Sequence, residues 1–78
     1  MLALSALGWV LADDDRAQRL LTLTGLTPDI LRDSLGDRAI HQAVLDFLCG
    51  HEPDLMAASE ALGVDPSEIA MARERLNA

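Results

Sequence analysis

MLALSALGWVLADDD, residues 1–15, can be read as a secretory signal, a membrane anchor or the first helix of a folded domain. The signal reading has an apolar run and a small-residue stretch, Val10-Leu11-Ala12, that resembles a cleavage site. It lacks the basic segment with which such signals begin, since no Lys or Arg precedes Arg16. A membrane span needs about 20 apolar residues, and Asp13 ends this run well short of that. A retained, buried helix is the remaining reading, and an internal correspondence favours it.

When the chain is slid along itself by 38 positions, Leu7 falls on Leu45, Trp9 on Phe47 and Val10 on Leu48. Farther on, Gly25-Leu26-Thr27-Pro28 falls on Gly63-Val64-Asp65-Pro66, and Leu31 on Ile69. Each match keeps a physical role: an apolar anchor, a glycine that stops a helix, a capping residue, then proline in the first turn of the next helix. Removing the first segment would take away the counterpart of the Phe47 helix.

Three helices per half follow. Residues 2–12 and 38–49 form the long apolar helices, 14–24 and 53–62 follow short acidic turns, and 28–35 and 66–76 close the halves. Thr27 and Asp65 are the expected N-caps, Gly25 and Gly63 the expected left-handed stops, and Gly36-Asp37 the junction between halves. No segment alternates with period two over a useful length, so no strand is expected. The expected fold is all-α: a compact six-helix domain over 1–78, a pseudo-repeat of two three-helix units at about 2–36 and 38–76. Trp9 and Phe47 should be largely buried in equivalent places. In the fourth helix Ile40, Ala43, Val44, Phe47 and Leu48 share one face, with Gln42 and Asp46 opposite. The first helix is apolar almost all round, so it is either central or shared with a partner.

Composition narrows the chemistry. Half of the 78 residues are apolar but only Trp9 and Phe47 are aromatic, so the core is built from Leu, Ala, Ile, Val and Met. Thirteen acids against six bases, all Arg, give a net charge of −7. Such a surface repels polyanions, which argues against nucleic acid and anionic membranes. The single cysteine, Cys49, excludes an internal disulfide and is compatible with a reducing compartment.

Ala6-Leu7-Gly8-Trp9, Thr24-Gly25, Leu31-Arg32, Val44-Leu45-Asp46-Phe47-Leu48 and the Gly63…Pro66 turn together resemble the small bacterial family catalogued as domain of unknown function 3572. The resemblance covers nearly the whole chain and is specific as a set. It implies a cytoplasmic bacterial helical protein, and it brings no activity, cofactor or site residue with it.

Candidate chemistry is sparse. Cys49 and His51 lie two apart at a helix end, with His41 upstream and Glu52 and Asp54 downstream. A Cys-His pair could activate a thiolate or contribute to a zinc site. His41 and Cys49, however, project about 80° apart on a helix, and no second pair completes four ligands. Cys49 as a small hydrophobe and His51 as a solvated turn residue is the simpler reading. Asp13-Asp14-Asp15 is a helix cap with favourable charge at the positive helix end; the EF-hand pattern is absent. Asp46 interrupts an apolar run on the polar face, where it is solvated or paired with an arginine. Gly8, inside a helix, costs roughly 1 kcal/mol relative to Ala and hints at a close backbone approach.

Neither catalytic residues nor a metal, a cofactor or a small-molecule ligand is therefore expected. A non-enzymatic protein–protein interaction module is the first functional reading, with another protein or a second copy as partner. Its candidate contact residues are Leu4, Leu7 and Leu11, a stripe whose counterparts in the second half, Gln42, Leu45 and Cys49, are less apolar. The alternative is a helix-turn-helix-type nucleic-acid-binding regulator over residues 57–76, whose second helix carries Glu68 and Glu74 beside Arg73 and Arg75.

Overall fold

Six α-helices order the chain, and no strand occurs among the residues described, 2–77 (side chains 2–76), of this computed structural model. They are α1 Leu2–Leu11, α2 Asp14–Thr24, α3 Pro28–Asp33, α4 Arg38–Cys49, α5 Glu52–Leu62 and α6 Pro66–Asn77. Cap chemistry places the breaks. The Asp13 carboxylate accepts from the N–H groups of Asp15 and Arg16 at 2.9 and 3.1 Å, which opens α2. Thr27 Oγ1 accepts from Ile30 N–H at 3.2 Å ahead of Pro28, and Asp37 accepts from Ala39 N–H at 2.8 Å. Gly25 and Gly63 stop α2 and α5 at φ 73° and 70°, a conformation that glycine adopts without steric cost.

One expected cap and one expected helix end are corrected. At Asp65 the capping bond runs the other way: its N–H donates to Glu68 Oε2 at 3.0 Å, the reciprocal half of a capping box. α3 ends at Asp33 rather than residue 35. Ser34, not Gly36, is its cap, and Asp37 N–H closes a turn onto the Ser34 carbonyl at 2.8 Å.

α4 is the centre of the fold and packs against α1, α2, α5 and α6. Its buried arc holds Ile40, Val44, Phe47 and Leu48 as the wheel requires and extends to His41 and Leu45, whereas Ala43, expected on the same face, is only half-buried. Helices on several sides of α4 explain the wider arc. α1 contributes Ala3, Ala6, Leu7 and Val10 to the same cluster, and Leu20, Leu31, Ala58 and Ile69 arrive from the other helices. The radius of gyration, 11.3 Å, matches the ~11.5 Å expected of a compact chain of this length.

The halves are packed differently. α4, α5 and α6 contact one another pairwise, whereas α3 has no comparable packing and buries only Leu31. Trp9 also departs from its expected equivalence with Phe47. Phe47 is buried at 8% exposure, while Trp9 is half-buried at the edge of the core. The Arg16 guanidinium lies 3.7 Å over the Trp9 ring, and Arg16 Nη2 donates to the Trp9 carbonyl at 2.8 Å. Arg16 lies one turn into α2, so the α1–α2 bend brings it back over the indole. No helix among the described residues is long and apolar enough to cross a membrane.

Candidate functional site

The outer face of α1 carries the stripe singled out from the sequence. Leu4 is 47% and Leu11 36% exposed, and Gly8 between them has open space where a Cβ would stand. Ser5 and Ala12 complete this uncharged face. Leu7 does not belong to it. At 1% exposure Leu7 is a core residue, because it lies about 60° around the helix from Leu4 and about 40° from Leu11, on the side that meets α4. The close backbone approach hinted at by Gly8 is not made by the described residues.

Where the N-terminal half of α1 meets the C-terminal half of α6, three shallow clefts adjoin and Arg75 lines each of them. Leu2, Val64, Met71 and Ala72 form one wall with Glu68, and Leu4 and Leu76 form the next with Arg38. The Arg38 guanidinium donates to the Leu76 carbonyl through Nε at 3.2 Å and Nη2 at 2.7 Å, which ties the start of α4 to the end of α6. Four other arginines also have internal partners. Arg16 covers Trp9, Arg19 pairs with Asp54 at 2.9 Å, Arg32 with Asp29 at 3.1 Å, and Arg73 with Asp46. Asp46 is thus arginine-paired. Arg75 makes no hydrogen bond or ion pair with the described residues.

The candidate chemical groups are engaged structurally. His41 is buried, with Nε2 2.7 Å from the Leu35 carbonyl, so it fastens the α3–α4 turn. Cys49 is half-buried against the core. Burial pushes its thiol up, and Asp46 adds to that against the opposing Arg73, which disfavours the nucleophilic thiolate. His51 is an exposed residue before α5, but its Nδ1 lies 2.9 Å from Asp54 Oδ2. No group of three or more His, Cys, Asp or Glu among the described residues is placed to hold a metal.

Asp54, which the sequence marks only as an acid downstream of the Cys49–His51 pair, is the centre of an ion cluster. Its carboxylate is buried between Arg19 and His51. Burial alone would raise its pKa, but the hydrogen bond and charge of Arg19, then those of His51, outweigh that and hold the carboxyl below its ordinary range. The local His51-x-x-Asp54 spacing at a helix start could have flagged the pair. Arg19, 35 residues away, could not have been found that way. Arg19 also lies 5.6 Å over the Phe47 ring, so this cluster clamps α2 to α5 and covers the edge of α4.

In the segment 57–76, α5, the Gly63 turn and α6 do form a helix-turn-helix. Arg73 of its second helix is committed to Asp46, while Glu68 and Glu74 are exposed. Comparison with curated proteins and with solved structures finds no match. The family model described as "Protein of unknown function (DUF3572)" matches residues 1–78, the whole chain, so this six-helix protein belongs to that family.

Proposed function

We propose that this chain is a non-enzymatic protein–protein interaction module whose contact surface is the outer face of α1. The observation that carries the reading is the exposure of Leu4 and Leu11 on an uncharged face that includes Gly8, where there is room for another backbone. Exposed apolar surface of this kind favours association, because burying it releases about 25 cal/mol per Å². The absence of charge on α1 removes the desolvation cost that usually opposes docking. In a bacterial cytoplasm, where we place the protein, its net charge of −7 favours protein partners over nucleic acid.

The test is a paired capture from native lysate with wild type and the Leu4→Gln, Leu11→Gln double variant as bait. Proteins retained by wild type and lost from the folded double variant support the reading. Identical captured sets, or retention of the wild type on a DNA column at physiological salt, would overturn it.

A further inference from the structure

We infer that the exposed face of α6 is a two-fold contact with a second copy of this chain. This goes beyond the α1 reading and uses different residues. Glu68, Met71, Ala72 and Arg75 recur at spacings of three, four and seven residues, so they form one strip along α6, with Glu68, Met71 and Arg75 exposed and Ala72 half-buried at its core-facing edge. Met71 is 52% exposed at the middle of the strip, with Leu2 and Val64 beside it. Glu68 and Arg75 are seven residues apart, about 10.5 Å along the axis, too far to pair with each other. They stand equally far from the midpoint between Met71 and Ala72.

That placement is self-complementary. An isologous contact requires that if one residue meets another, the second also meets the first in the partner. Two α6 helices laid antiparallel about that midpoint put Glu68 against the partner's Arg75 at both ends. Met71 then meets the partner's Ala72 at the centre, large against small. The arrangement supplies an acid to Arg75, which makes no hydrogen bond or ion pair with the described residues. Glu68 can accept it, since its Oε2 already takes the Asp65 N–H and its other oxygen remains. Repulsion between two chains of charge −7 is the opposing force. It acts over the whole surface, so at ~0.15 M salt it is screened beyond about 8 Å, whereas the paired charges are in contact.

Charge exchange tests this directly. Sedimentation equilibrium of the full chain at ~0.15 M salt, from about 10 μM to about 1 mM, should show wild type moving from 8.4 kDa to twice that mass. Glu68→Arg and Arg75→Glu should each weaken the dimer at least about tenfold. An equimolar mixture of the two variants should restore it, because each Arg of one then faces a Glu of the other. Glu68→Arg also removes the Asp65 capping acceptor, so far-UV circular dichroism confirms that each variant is folded. Met71→Glu, which disturbs no cap, places like charges at the centre and should likewise give a monomer. A wild type that stays monomeric throughout overturns the inference. So does a dimer indifferent to Arg75→Glu and Met71→Glu, or a mixture that fails to recover. The α1 reading is tested separately, by the Leu4→Gln, Leu11→Gln variant, which leaves Glu68, Met71 and Arg75 unchanged.

Discussion

Replacing the two aromatic residues by alanine measures how unequal the two halves are. Phe47 is buried on the central helix, against the cluster that α1, α5 and α6 complete. Phe47→Ala should cost about 3–5 kcal/mol, since the neighbours can collapse only partly into the space. Against a total stability of about 4–12 kcal/mol for a chain of this size, that is a large loss. It corresponds to a fall in Tm of at least about 12 °C, at about 4–8 °C per kcal/mol. Trp9 is larger but only half-buried. Trp9→Ala should cost about 1.5–2.5 kcal/mol, half the full-burial value, plus about 0.5–1 kcal/mol for the lost Arg16 stacking. The Arg16 bond to the Trp9 carbonyl survives the substitution because it uses the backbone. Urea and thermal unfolding followed by circular dichroism at 222 nm give both values, and do so without relying on tryptophan emission. A Trp9→Ala loss as large as that of Phe47→Ala would refute the asymmetry. A Phe47→Ala protein melting within a few degrees of wild type would refute the placement of the core.

Glycine substitutions should separate by backbone conformation. Gly63→Ala is expected to lose about 1–2 kcal/mol, because its φ of 70° is strained for any L side chain. Gly8→Ala should instead gain about 0.5–1 kcal/mol in the monomer, since the position is helical and open; chemical denaturation reads both signs. Thr27→Ala removes the acceptor for Ile30 N–H and should cost about 1 kcal/mol, with Thr27→Ser close to neutral in the same assay. Asp54 makes stability pH-dependent. Its folded pKa lies below the unfolded value of about 3.9, so its contribution is complete above that pH and disappears as pH falls through the folded value. The stability difference between wild type and Asp54→Asn should therefore shrink as pH falls from about 5 to below about 4. A difference that ignores pH in that window would show that Asp54 is not held as an ion by Arg19 and His51.

Most of the architecture was legible because local chemistry sets helix ends. Asp13, Thr27 and Asp37 cap, Gly25 and Gly63 stop, and each acts on groups within a few residues. Where the reading slipped, a local signal was ambiguous or a distant one intervened. Gly36 looked like a helix stop, yet the chain had already turned at Ser34. Trp9 and Phe47 looked equivalent by register, but Phe47 stands on the central helix α4, against which four other helices pack, and Trp9 lies at the edge of the core. Leu7 shared a spacing with Leu4 and Leu11 without sharing their exposure.

The sequence by itself determined the number of helices, their boundaries to within a residue or two, and the apolar positions of α4. Those properties follow from backbone hydrogen-bond satisfaction and from a 3.6-residue period, both written in near neighbours. Only the tertiary structure decided which arginine met which acid, that Asp54 would be a buried ion clamped by Arg19, and that Leu4, Leu11, Met71 and Arg75 would remain at the surface. Pairings of that kind join residues tens of positions apart. They depend on how the helices cross, and crossing is fixed by the fit of whole side-chain surfaces rather than by any short stretch of chain.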